Sequence, residues 1–161
     1  MRSGFVALAG RPNAGKSTLI NSLVGEKVAI VSDKPQTTRS EIRGIYTDED
    51  VQIVFTDIPG IHKPKVRLET RMNREAFDVI QGVDLIYLVT DGSVPFGKGD
   101  QFVLDAVKNT GLPVFLILNK VDKMPQQKVM DHLLTWSSRF EFAEYFPLSA
   151  KFTRSFADLI E

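Results

Sequence analysis

Eight residues constrain this chain more than any others. Gly10-Arg11-Pro12-Asn13-Ala14-Gly15-Lys16-Ser17 fits G-x-x-x-x-G-K-[ST] without a gap or mismatch. An apolar run, Phe5–Ala9, precedes it, and a helix-like stretch, Thr18–Val24, follows. A strand, a glycine-rich turn and a helix in that order are the start of a layered α/β fold, and the turn is a cradle for phosphate. Glycines let the backbone wrap closely round anionic oxygens, and the first N–H groups of the helix point at them. Lys16 can reach the β- and γ-phosphates and Ser17 can ligate Mg²⁺. The loop amides of Asn13, Ala14, Gly15, Lys16, Ser17 and Thr18 complete the expected phosphate site. The loop specifies a nucleoside triphosphate and leaves the base open.

The rest of the chain supports one α/β domain. Apolar runs alternate with amphipathic stretches over 161 residues, a length that suits a single core. Strands are expected at Phe5–Ala9, Ile42–Thr47, Val51–Thr56, Leu85–Thr90, Val114–Leu118 and Glu144–Pro147. Helices are expected at Lys16–Val24, Leu68–Gln81, Lys98–Thr110, Gln126–Arg139 and Phe156–Glu161. Leu85–Val89 and Val114–Leu118 are continuously apolar, as central parallel strands covered on both faces are. Between Ile45 and Phe55 the pattern turns back over Thr47-Asp48-Glu49-Asp50, which predicts one antiparallel edge. The expected architecture is therefore a three-layer P-loop fold: a mostly parallel six-stranded sheet with one antiparallel edge and helices on both faces. Lys27–Ser40 and Ile58–Val66, rich in Pro, Gly and basic residues, read as loops.

Composition removes several classes of function. Twenty basic and twenty acidic residues cancel, so no global basic field drives DNA or RNA binding. There is no cysteine, hence no disulfide framework, cysteine-ligated zinc or thiol chemistry. No apolar run is long enough to cross a bilayer and no signal peptide precedes the loop. The expectation is a cytoplasmic protein without DNA as a partner, and nothing here indicates a membrane.

Three further segments, each placed at a strand end, specify the base. Asp57-Ile58-Pro59-Gly60 offers a carboxylate that can hold Mg²⁺ through water, and a Gly60 N–H for the γ-phosphate. In Asn119-Lys120-Val121-Asp122, the Asp122 carboxylate can accept two hydrogen bonds from the N1–H and exocyclic amine of guanine. Adenine lacks that donor pair, and an unpaired Asp122 in a closed pocket costs on the order of 1–3 kcal/mol. Ser149-Ala150-Lys151 follows the last strand, where the Ala150 N–H can meet guanine O6. D-x-x-G alone is an ordinary turn, and Ser-Ala-Lys alone is nearly uninformative. All four segments in this order, at the carboxyl ends of strands where open α/β sheets gather ligands, point to a guanine nucleotide.

With these motifs the chain resembles the translation-factor-related GTPases and, within them, the bacterial Era family. Pro35-Gln36-Thr37-Thr38-Arg39 and Asp57–Pro64 look like the two Era switch regions. The tandem-domain ribosome-assembly GTPases and the tRNA-modification GTPases are the related alternatives. The resemblance implies a GTP-hydrolysing switch whose full-length parent works in small ribosomal subunit assembly. It implies a C-terminal KH domain that binds small-subunit ribosomal RNA, which nothing in these residues matches. The expectation is a single GTPase domain over residues 1–161, with RNA and ribosome binding left to the parent. It implies Thr38 as the switch ligand of Mg²⁺, beside Ser17 and Asp57. Similarity to the tRNA-modification GTPases in the string Pro12–Ser17 further implies that Asn13 ligates K⁺.

Where Ras-like GTPases carry a water-orienting Gln, this chain has Ile61, which has no donor or acceptor. Hydrolysis is therefore expected to be slow, or assisted by another device such as K⁺ held by Asn13. Lys16, Thr38, Gly60 and Asn13 are the expected catalytic set. Arg11 and Arg39 are weaker candidates for an arginine finger in cis. His62 is a poor general base, and His132 reads as a surface residue. Trp136, Phe140, Phe142 and Phe146 read as packing residues rather than a base-stacking platform. Two competing functions are a guanine-nucleotide sensor with negligible hydrolysis and a P-loop kinase or ATPase; Asn119–Asp122 argues against the latter.

Overall fold

The computed structural model describes residues 2–11, 14–24, 42–57 and 82–149. Six strands form one sheet: β1 (Arg2–Ala9), β2 (Ile42–Thr47), β3 (Val51–Asp57), β4 (Leu85–Asp91), β5 (Val114–Asn119) and β6 (Glu144–Pro147). Their spatial order is β2-β3-β1-β4-β5-β6. Only β2 runs antiparallel to its neighbour. The helices among the described residues are α1 (Lys16–Val24), α2 (Lys98–Lys108) and α3 (Gln126–Ser137), with a 3₁₀ turn at Val121–Lys123. The expected helices at residues 68–81 and 156–161, and both expected loops, 27–40 and 58–66, lie outside the described residues.

The continuous apolar strands are divided residue by residue between two cores. Side chains alternate across a sheet, so Ala7 and Ala9, Ile86 and Leu88, and Val114 and Leu116 face one side. There they pack with Val103, Leu104 and Val107 of α2 and Trp136 of α3. Val6 and Leu8, Tyr87 and Val89, and Ile117 face the other side, against Leu19, Ile20 and Leu23 of α1. Each fully buried large side chain contributes about 1.5–3 kcal/mol. The two-sided burial explains why these strands show no polar alternation. It also fixes helices on both faces, as expected.

The hairpin lies where the sequence places it. Asp48 Oδ1 accepts hydrogen bonds from the backbone N–H groups of Asp50 and Val51, both 2.8 Å, which is the local bond that makes Asp a turn residue. β1 is longer than its apolar run because Arg2, Ser3 and Gly4 pair with Val51, Gln52 and Ile53. Their side chains are largely exposed, so hydrophobicity gives no sign of them. α2 stops at Lys108 because the Thr110 hydroxyl caps the Val107 carbonyl at 2.8 Å and Gly111 turns left-handed at φ 71°.

The order of strands places the site. From β1 the chain moves first to one side (β3) and then to the other (β4), which leaves a crevice beyond the carboxyl end of β1. The glycine-rich loop begins there.

Candidate functional site

The phosphate loop leaves β1 at Gly10, whose φ is 152°. A side chain there would put Cβ 2.4 Å from the Val89 carbonyl oxygen, so β1 and β4 can close together only over glycine. Gly15 repeats the demand with φ 101°. α1 then starts, with Leu19 N–H donating to Gly15 O at 2.9 Å. No acidic residue sits in its first turn, so nothing offsets the positive end of the helix dipole, which favours an anion. Lys16 Nζ donates to Gly10 O at 3.1 Å. Ser17 and Thr18 are exposed at the helix start.

The carboxyl ends of the parallel strands carry the other motifs. Each apolar run is prolonged by one polar residue that stays in the ladder: Asp57 pairs with Leu8, and Asp91 with Asn119. Asn119, 3% exposed, reaches across the crevice. Its Nδ2 donates to Ala14 O at 2.9 Å, over 105 residues of sequence, while its Oδ1 accepts from Lys120 N–H at 2.8 Å. Lys120 adopts the left-handed conformation at φ 64°, and the 3₁₀ turn that follows leaves the Asp122 carboxylate exposed. Val121 N–H donates to Leu148 O at 3.3 Å, and Leu148 N–H to Leu118 O at 2.9 Å. The segment ending in buried Ser149 is thereby held beside the Asn119–Asp122 loop.

Ala14, Gly15, Lys16, Ser17, Thr18, Asp57, Asn119, Lys120, Asp122 and Ser149 thus lie along one edge of the sheet. Asn13, Thr38, Gly60, Ile61, Ala150, Lys151, Arg39 and His62 lie outside the described residues. Arg11 is turned towards α2, 3.5 Å from Asp100. His132 is half-buried and its Nε2 lies 2.9 Å from Val94 O; because a carbonyl only accepts, Nε2 is the donor. Trp136 and Phe142 are core residues, 1% and 5% exposed, and Phe140 and Phe146 pack against the two cores.

Asp91 has no place in the four motifs but belongs to the same edge. Its Oδ2 accepts from Lys120 Nζ at 2.9 Å, and its Oδ1 accepts from Ser93 N–H at 2.8 Å and from the Ser93 hydroxyl. Burial pushes this carboxyl up, but the bonds from Ser93 and Lys120 outweigh it and hold the group below the ordinary carboxylate range. Its sequence signal is the one shared by Asp57 and Asn119, a polar residue that ends a continuous apolar strand.

The donor set suits Mg²⁺. Ser17, exposed at the start of α1, offers a hard oxygen donor, and among the described residues no cluster of three or more His, Cys, Asp or Glu forms a cage. Mg²⁺ characteristically takes one or two protein oxygens, with phosphates and water supplying the rest.

Comparison with known proteins agrees with this geometry. The chain is 47% identical over 161 residues to the GTPase Era of Clostridium kluyveri, covering 100% of this chain and 55% of that protein. Among solved structures, an Aquifex aeolicus Era variant bound to GDP and AlF₄⁻ superposes with a TM-score of 0.78 at 33% identity, over 99% of this chain and 55% of that one. Era in complex with MgGDPNP and nucleotides 1506–1542 of 16S ribosomal RNA gives 0.79 at 33% identity, with the same coverage. The chain therefore spans little more than half the length of these relatives. The family described as "50S ribosome-binding GTPase" matches residues 5–120, from the first core strand through Lys120. The chain belongs to that GTPase family, and its likeness within it is to Era.

Proposed function

We propose that this chain is the GTP-binding and GTP-hydrolysing domain of an Era-type switch, a single P-loop domain over residues 1–161. The observation that carries the reading is the bond from Asn119 Nδ2 to Ala14 O. It ties the loop suited to guanine to the loop suited to phosphate, so that one nucleotide can span both. Ala14, Gly15, Lys16, Ser17, Thr18 and the Asn13 amide hold the phosphates. Asn119, Lys120, Asp122, Ser149, Ala150 and Lys151 hold the base, with Asp122 selecting guanine by its donor pair.

Phosphoryl transfer to water needs positioning and charge neutralisation more than covalent chemistry. The Lys16 ammonium, now on Gly10 O, exchanges that carbonyl for phosphate oxygens. Ser17, Thr38 and Asp57 (through water) would hold Mg²⁺, which neutralises phosphate charge when bound. Gly60 N–H senses the γ-phosphate. Ile61 cannot orient water; Asn13 would hold K⁺, which would supply the missing charge stabilisation as an arginine finger does. GTP and GDP are the ligands, residues 27–40 and 58–66 respond to the γ-phosphate, and the setting is the cytoplasm. The contribution to small-subunit assembly, and any contact with ribosomal RNA, belong to the full-length parent.

Single-turnover GTP hydrolysis at matched ionic strength, in K⁺ and in Na⁺, tests this reading with wild type and Asn13→Ala. Faster turnover in K⁺ that Asn13→Ala abolishes is the expected result. Equal rates in both salts would remove the potassium role. Equal competition by ATP and GTP for bound nucleotide would remove the guanine site.

A further inference from the structure

The turn that follows β4 carries no nucleotide-binding motif, yet it is bound to the base loop at three points. Asp91 and Asn119 are ladder partners. Gly92 N–H donates to Asn119 O at 2.8 Å. The Asp91 carboxylate receives Lys120 Nζ at 2.9 Å, with the two side chains 19% and 26% exposed. The approach is close enough that a Cβ on Gly92 would fall 2.9 Å from Asn119 O and 2.8 Å from the Met124 sulfur.

The two oxygens of Asp91 have separate tasks. Oδ1 is occupied by Ser93, through its N–H and hydroxyl, which fixes the rotation of the carboxylate. Oδ2 is thereby aimed at Lys120. Lys120 is the one non-glycine residue with positive φ among the described residues, a conformation that L-residues adopt at a cost. The 3₁₀ turn that presents Asp122 starts directly from it. A contact that restrains Lys120 therefore restrains the direction of the carboxylate two residues on.

We propose that Asp91 is a positioning residue for guanine recognition, acting through Lys120 to hold the turn that presents Asp122 to the base. This rests on the reading of Asn119–Asp122 as the guanine loop. It adds a residue that touches no ligand and sets selectivity, not only affinity. Guanine and hypoxanthine differ by the exocyclic amine, one of the two donors that Asp122 accepts. Loss of aim at Asp122 weakens guanine more than hypoxanthine and narrows the ratio between them.

The test is equilibrium and stopped-flow binding of fluorescent GDP to the full chain with Mg²⁺, and competition by GDP and IDP. The variants are Asp91→Asn, Lys120→Met, the double variant, and Ser93→Ala. Asp91→Asn keeps the oxygen that accepts from Ser93 and replaces Oδ2 with an amide NH2, which removes both the negative charge and the acceptor that face Lys120 Nζ. It should raise the GDP dissociation constant about tenfold, chiefly through faster release, and lower the preference for GDP over IDP. In the Lys120→Met background it should add nothing. Ser93→Ala, which removes the hydroxyl bond to Oδ1 and leaves the backbone N–H bond, loosens the carboxylate; it should move both quantities in the same direction by less, and serves if Asp91→Asn folds poorly. A smaller folded fraction would reduce GDP and IDP binding alike and leave their ratio unchanged. An unchanged ratio in Asp91→Asn and Ser93→Ala, or a full additional effect of Asp91→Asn on top of Lys120→Met, overturns the proposal. Failure of the wild type to prefer guanine nucleotides overturns the reading on which it rests instead.

Discussion

Replacing Gly15 by alanine tests how the phosphate loop and the base loop are joined. The residue sits at φ 101°, where a side chain is strained by about 1–3 kcal/mol. Its new Cβ would lie 2.1 Å from Asn119 Nδ2, against an ordinary contact of about 3.5 Å. The amide must withdraw by roughly 1.4 Å, which carries it beyond hydrogen-bonding range of Ala14 O. That loss costs about 1 kcal/mol as a bond, and more if the Ala14 carbonyl finds no new partner. Allowing for relaxation of the loop, Gly15→Ala should destabilise the nucleotide-free protein by about 3 kcal/mol. Urea unfolding reads this directly, and the melting temperature should fall by roughly 6–12 °C in a domain of this size. The double variant with Asn119→Ala separates the causes. Once the amide is gone the clash disappears and only backbone strain remains, so the two changes should be non-additive by about 1–2 kcal/mol. A cost for Gly15→Ala below about 0.5 kcal/mol, or strict additivity, would refute the steric account.

Three further outcomes follow from the geometry. Asp122→Asn should exchange guanine preference for xanthine, because the amide donates where guanine also donates; nucleotide competition checks it, and an unchanged preference would dismiss Asp122 as the base reader. Asp91, held below the ordinary carboxylate range, contributes stability above the unfolded-state value of about 3.9 that is lost as pH falls through its lower folded value. Asp91→Asn should therefore flatten the acid limb of the stability profile below about pH 4 and leave the slope between pH 6 and 8 as it is. Trp136→Phe should cost about 1–3 kcal/mol, because the smaller ring leaves a cavity in a fully buried site, offset in part by loss of an indole N–H that is buried without a partner among the described residues; thermal unfolding checks it, and a loss well above that range would count against the N–H being unsatisfied.

Much of this architecture is legible in the sequence, for identifiable reasons. β2, β6 and α1 fall at the residues expected because turn chemistry and the glycine-rich loop mark their ends. The central strands are also evident, since two-sided burial leaves only aliphatic and aromatic residues within Leu85–Val89 and Val114–Leu118. Their last residues are not. Hydrophobicity ends β3, β4 and β5 at the last apolar or threonine position, but the ladder continues through Asp57, Asp91 and Asn119. The motifs single out Asp57 and Asn119 as expected ligand residues, because their spacing from Gly60 and Asp122 is informative. Asp91 escaped because its partner Lys120 is 29 residues away and no local spacing links them. The turn of Arg11 towards Asp100 is hidden for the same reason.

The pairing of Asp91 with Asn119 at the tip of the sheet has a practical consequence for anyone who would redesign specificity here. These residues complete strands and hold the base loop at the same time, so folding and recognition draw on one set of bonds. A substitution made at either of these two residues will also loosen the end of a strand, and a screen that scores binding alone will confuse the two effects. Asp122 stands apart from that ladder, exposed on its own short turn. On the proposed reading of Asp122, it is the position where base preference would be rewritten without reopening the scaffold.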